Sequence, residues 1–228
     1  MRTLGVLLMV IGAGASRMGP DASGAAPMRG VDVPAAEEVP LLGWSDLSDR
    51  PCRWLGRNVR LRVQVESRPT QWNPYVTRFG AGQFDALQAW ADEQFPWVQS
   101  EFDAPAVRVF ARKGSAASSA LDGAPAYARF ELTGVVREVF LDLPWIEVVE
   151  VQPLAESISE ASIIHAARAI ELMHQGAWEL ARLELDQAQA APLPDAAAME
   201  LARLQAVCSE ARPAGSHAGD RQRDATPR

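Results

Sequence analysis

Asn58-Val59-Arg60-Leu61-Arg62-Val63-Gln64-Val65-Glu66 alternates apolar and polar residues without a break. Val59, Leu61, Val63 and Val65 fall on one face of an extended chain, and Arg60, Arg62, Gln64 and Glu66 on the other. That is the period of a half-buried β-strand. Further on, Val107 and Val109 alternate with Arg108 and Phe110 before Lys113-Gly114, and two more runs, 126–140 and 144–151, also read as strands. The break between them, Leu141-Asp142-Leu143-Pro144, contains a proline that keeps one strand from simply continuing. Residues 72–79 read as strand or loop. Within 84–90, Phe84, Leu87 and Trp90 recur every third residue, which predicts one face of a helix. A short twisted sheet of about five strands is most stable when closed, because closure removes exposed edges. The fold predicted for residues 41–155 is therefore a small five-stranded antiparallel β-barrel with an inserted helix, in a chain of the α+β class.

Gly56, Gly80, Gly82, Gly114, Gly123 and Gly134 stand at expected bends of this segment. The run Phe130-Glu131-Leu132-Thr133-Gly134-Val135-Val136-Arg137, followed by Pro144-Trp145-Ile146-Glu147-Val148, resembles the last two strands of OB-fold modules in exported bacterial proteins. The resemblance implies that the strand with the mid-run glycine coils around the barrel and that the closing strand follows a short hairpin.

Residues 156–212 carry a different period. Alanine-rich helices are expected over 159–175, 178–191 and 195–211, with Ser157 and Ser159 available as N-caps, a turn at Gly176, and stops at Pro192 and Pro194. The spacing of Gly176, Trp178, Ala181, Leu185, Ala188 and Pro192 resembles the second half of a tetratricopeptide repeat, in which small residues let paired helices approach closely. One such hairpin is too little to stack on itself, so it must lean on the barrel or on another protein.

The whole chain has 228 residues, 22 Lys+Arg against 29 Asp+Glu, a formal net charge of -7 and 48% hydrophobic residues. Those values exclude whole-chain disorder and argue against a protein devoted to gripping phosphate backbones. Met1–Ala15 has an early arginine, the apolar run Leu4–Ile11 and the small-x-small triplet Ala13-Gly14-Ala15, the layout of a cleavable export signal. No other run approaches the length of a membrane span. Residues 16–40 read as a flexible linker and residues 213–228 as a disordered tail. A competing reading exists for the N-terminus. Val10-Ile11-Gly12-Ala13-Gly14-Ala15-Ser16-Arg17-Met18-Gly19 resembles the phosphate loop of nucleotidyltransferases, but the lysine that the family places a few residues on is missing. Cys52 and Cys208 could bridge in an oxidising compartment or remain separate thiols. Their spacing suggests neither zinc nor redox chemistry.

Candidate chemistry is sparse. His165 and His174, with Glu171 three residues before His174, lack the second Glu-x-x-His of a carboxylate-bridged metal centre. No Gly-x-Ser-x-Gly elbow follows the leader. The densest feature is Arg50, Arg53, Arg57, Arg60, Arg62 and Arg68, within nineteen residues and close to Trp72 and Tyr75. A basic groove with aromatic platforms is how OB-folds hold single strands. Against this, residues 41–155 carry 12 Lys+Arg and 14 Asp+Glu, and export leads away from nucleic acid. Arg60, Arg62, Trp72 and Tyr75 are the candidate ligand-binding residues. The expected function is that of an exported, periplasmic or secreted, non-enzymatic binding or scaffold module of the cell envelope, with another protein as partner and neither cofactor nor metal. The alternative is oligonucleotide or glycan binding through the Arg/aromatic face. A nucleotidyltransferase-like enzyme is the third reading, and it requires residues 1–30 to be folded.

Overall fold

The five strands are β1 (Asn58–Ser67), β2 (Phe84–Ala91), β3 (Val107–Arg112), β4 (Arg129–Phe140) and β5 (Leu143–Leu154). In the computed structural model, which describes residues 39–73 and 75–211, they close in the order β1-β2-β3-β5-β4. All neighbours are antiparallel except β3 and β5, which run parallel through Val109↔Ile146, Phe110↔Glu147 and Ala111↔Val148. The chain is thus α+β with an OB-like barrel, and the sheet is mixed rather than purely antiparallel. A parallel pair is unavoidable because a closed ring of five strands cannot alternate direction all the way round, and here it falls between β3 and β5. The leader expected at 1–15, the linker expected at 16–40 apart from its last two residues, the competing phosphate-loop segment and the tail lie outside the described residues.

The alternation in β1 is realised: Val59, Leu61, Val63 and Val65 are buried in the barrel interior with Leu87, Ala89, Val107, Val109, Leu132 and Ile146. The helix expected over 84–90 is instead strand β2. Its inner face is Leu87, Ala89 and Ala91, while Phe84 and Ala86 are buried on the outer face in a second apolar cluster. A strand covered on both sides loses its polar alternation, so the three-residue recurrence of bulky side chains imitates a helix. The inserted helix is α3 (Ala116–Asp122), between β3 and β4. Ser115 caps it by accepting a hydrogen bond from the Ser118 amide, and Ala117 and Leu121 enter the barrel core. Residues 72–73 and 75–79 are loop. Upstream, α1 (Trp44–Asp49) contributes the fully buried Leu47 to the same core. The short α2 (Gln99–Phe102) lies between β2 and β3.

Gly134 marks the point where β4 coils. The register with β5 shifts between Thr133 and Gly134, and a Cβ here would come within 2.7 Å of the Glu147 carbonyl oxygen. The β4–β5 turn is Leu141-Asp142, with φ of +50° and +57°. Two left-handed residues give a hairpin turn whose twist matches right-twisted strands, a place where Asn-Gly is usual.

Three helices follow: α4 (Glu160–His174), α5 (Trp178–Ala188) and α6 (Asp195–Glu210). Ser159 caps α4 by accepting from the Ser162 amide, and Gly176 turns the chain into α5 with φ +74°. Ala166, Ala169, Ala181 and Ala188 are fully buried, so the helices meet over alanine and Leu185. This helical layer leans on the barrel. Trp97, from the loop after β2, is in its apolar core with Ile158. The Gln64 side chain, on the outer face of β1, donates to the Ile158 carbonyl (2.8 Å) and accepts from the Ile158 amide (2.7 Å). Arg129 adds a second tie, paired with Asp92 and donating to the Glu156 carbonyl. All described residues fall in one compact unit. No helix among them is long and apolar enough to cross a membrane.

Candidate functional site

Arg60 and Arg62 point outward from β1, as the alternation requires, and both converge on one acid. Arg62 Nε donates to Glu131 Oε2 at 3.1 Å, and Arg60 Nε lies 3.4 Å from Glu131 Oε1. The second contact is an ion pair without hydrogen-bond geometry, since Arg60 Nε is buried and makes no hydrogen bond. The Arg60 backbone is occupied too: its amide donates to Pro40 and its carbonyl accepts from Leu42. The two guanidiniums therefore neutralise β4 more than they present a free cationic stripe.

Trp72 and Tyr75 sit elsewhere, on the loop joining β1 and β2. Trp72 is half-buried; its indole N–H donates to the Phe79 carbonyl, and its ring packs edge-on to Phe110 of β3. Phe79 stacks on Phe110 at 4.4 Å, and Phe110 on Trp145 at 5.4 Å. The loop thus lies over the outer face of β2 and β3, the face with which OB-folds commonly hold ligands. The aromatic rings there are spent on one another. Tyr75 is different: it is 94% exposed. The expected foursome is thus divided, with Arg60 and Arg62 on the β1–β4 seam, Trp72 over β3 and Tyr75 exposed on the β1–β2 loop.

Sequence reasoning passed over the residues that accompany Tyr75. Glu138 of β4 accepts from the Thr77 hydroxyl and the Arg78 amide, tying the β1–β2 loop to the β4–β5 hairpin. At the hairpin tip Leu141 is 78% exposed and Leu143 45%, and the Phe140 ring stands edge-on to Trp145. Leu141 could have been noticed as an apolar residue at the centre of a two-residue hairpin, but its exposure needed the structure. Arginines missed in β3 and β4 gather on the same side: Arg112 and Arg137 grip Glu147 from two directions, and Arg108 lies over the Trp145 ring at 5.8 Å.

A cleft of about 240 Å³, lined in part by Trp72, opens between the start of the β1–β2 loop, β2 and α3. There the Ser118 hydroxyl donates to Asp85 (2.7 Å), with the Lys113 ammonium 3.8 Å from the same carboxylate. Arg68 donates to the Asp122 and Ala124 carbonyls at its edge. Its charges are paired, and no imidazole or thiol is among its lining residues.

On the helices, His165 Nδ1 is hydrogen-bonded to Glu184 at 2.6 Å, which joins α4 to α5. Among the described residues no group of three or more His, Cys, Asp or Glu side chains could hold a metal ion. Both cysteines are free thiols, Cys52 exposed and Cys208 buried. Burial pushes the Cys208 thiol above its ordinary pKa.

No family model matches the chain, and no curated protein matches it. Among solved structures, a chain assigned as an aspartyl-tRNA synthetase from Leishmania major Friedlin is similar over 65% of this chain and 30% of that one, with 13% identity and a TM-score of 0.36. A likeness of that degree assigns neither fold nor function.

Proposed function

We propose that this chain is an exported, non-enzymatic binding module of the cell envelope that acts through protein contacts at the rim formed by the β1–β2 loop and the β4–β5 hairpin. The observation that carries the reading is Leu141. A branched aliphatic residue held at φ +50° and left largely in water costs conformational energy and returns no burial to the fold. Leu143 adds to the exposed apolar surface of the hairpin, and Glu138 holds Thr77, two residues after the exposed Tyr75, so the rim is already organised before it meets a partner. Stacked, buried rings over β3 leave little for nucleotide bases to lie on, so a protein partner fits better than a single strand.

The same reading takes α4 and α5 as a tetratricopeptide-like hairpin. Support comes from Gly176 at positive φ and from the buried Ala181 and Ala188, which let the helices approach closely. The test is site-specific photo-crosslinking from position 75 in cells producing the full chain, with and without Leu141→Gly. Protein adducts that fade in the variant are expected. Adducts of equal yield in both, or recovery of nucleic acid alone, would overturn the reading.

A further inference from the structure

We infer that the protein partner is recognised through an extended acidic segment, seated in a groove of arginines that runs along the outer face of β3, β5 and β4 into the apolar rim. This deepens the proposal of a protein-binding rim and rests on it. Arg108, Phe110 and Arg112 alternate on one face of β3, which sets the two guanidiniums' strand positions about 13 Å apart. Between them the face is floored by Phe110 and Trp145. Arg112 Nη2 reaches Glu147 Oε1 at 3.1 Å, Arg137 Nε reaches Glu147 Oε2 at 2.8 Å, and Arg78 Nε reaches Glu138 Oε1 at 2.5 Å.

The layering of these pairs decides what the surface presents. The side chains of Glu147 and Glu138 are each 11% exposed, while those of Arg78, Arg112 and Arg137 are 78%, 59% and 46% exposed. The acids lie beneath and the bases above, so a molecule arriving from solvent meets cations. A guanidinium carries five N–H donors, and Glu147 engages a single nitrogen of Arg112 and of Arg137, so both retain donors for a ligand. Arg78, Arg112 and Arg137 border an open cleft of about 350 Å³ that is floored in part by Phe84. Arg108 adds a fourth guanidinium, with no ion pair among the described residues. Four guanidiniums over two carboxylates form a cationic patch on a chain whose net charge is -7.

Charge complementarity therefore selects an anionic occupant, and the neighbouring surface selects its kind. Glu138 pairs in register with Trp145 and also holds Thr77 and Arg78, so the arginines run directly into the rim of Phe140, Leu141 and Leu143. A segment bearing carboxylates at one end and aliphatic or aromatic side chains at the other matches both. The closed barrel offers no strand edge here, so side chains rather than backbone pairing must do the reading.

The experiment is fluorescence anisotropy on the full chain. Its probes are a labelled synthetic peptide of Asp-Asp-Leu repeats, the same peptide with lysine for aspartate, and a single-stranded oligothymidylate. Arg108 is exposed and outside every ion pair above, so Arg108→Glu tests the groove without uncovering a buried acid. The aspartate peptide should bind in a salt-sensitive way, weaken about tenfold with Arg108→Glu, and lose its preference over the lysine peptide in that variant. Equal affinity of wild type and Arg108→Glu for the aspartate peptide would overturn the inference. If Leu141→Gly still weakened the peptide in that case, the rim would stand as a protein site without acidic specificity. Tighter binding of the oligothymidylate than of either peptide would overturn the inference and the protein-binding reading together.

Discussion

Replacing Gln64 by Met tests how the helical layer is held. Methionine keeps the length and much of the shape of the side chain but makes neither hydrogen bond to Ile158 (2.8 and 2.7 Å). Gln64 is 4% exposed and Ile158 5%, so water cannot readily replace the lost partner. An intact buried hydrogen bond is worth about 1 kcal/mol net, but stranding a buried amide or carbonyl costs about 1–3 kcal/mol each. With two groups stranded, the expected loss is about 2–6 kcal/mol, a large part of the ~5–15 kcal/mol that typically separates folded from unfolded domains. In thermal unfolding, at about 2–4 °C per kcal/mol for a chain of this size, that is a fall of roughly 4–24 °C. Urea unfolding should be followed by far-UV circular dichroism, which weights α4–α6, and by tryptophan fluorescence. If Gln64 is the main polar tie, the helical signal should be lost first and the two curves should separate. A loss below about 0.5 kcal/mol with coincident curves would refute the reasoning and assign the joint to the packing of Trp97 instead.

Gly134→Ala should destabilise the barrel by about 1–3 kcal/mol, because the new methyl meets the Glu147 backbone as well as the Ile146 side chain; equilibrium urea unfolding reads it. Arg60→Ala with Arg62→Ala keeps strand register but strips Glu131, a side chain only 14% exposed, of both cations. A loss of about 1–2 kcal/mol is expected, between that of a surface pair and that of a buried one, and unfolding of the double and both single variants checks it. Cys52 should react with a thiol reagent in the folded chain and Cys208 only on unfolding, as stopped-flow labelling can show. Because burial raises the Cys208 pKa in the folded state, the unfolded thiol ionises first. That residue's contribution is therefore complete below about pH 8.5 and is lost as pH rises through the folded value. The difference in melting temperature between wild type and Cys208→Ala should be constant at lower pH and change only on that alkaline side, where the wild type alone falls.

Period and punctuation in the amino-acid sequence were enough to place β1, the β4–β5 pair and the three C-terminal helices. In each of these one face is buried and the other wet, so the side-chain pattern carries the element's own periodicity. Gly134 and Gly176 could be read as well, because a coiled strand and a left-handed turn leave no room or no comfort for a side chain. Tertiary structure alone decided the remainder. β2 is buried on both faces, by the barrel interior and by the loop from Arg68 to Gln83, and a strand without a wet face shows no alternation. α3 is built of alanine and serine, and its amphipathic signal is too faint to stand out before the barrel end exists for Leu121 to fill. The candidate site divides in the same way. That Arg60 and Arg62 face outward follows from the strand period, but their convergence on Glu131 depends on β4 arriving beside β1. The grouping of Leu141, Arg108, Arg112 and Arg137 is likewise a product of closure, because no local spacing relates a hairpin tip at 141 to two arginines of β3, which reach Arg137 of β4 only across the intervening β5.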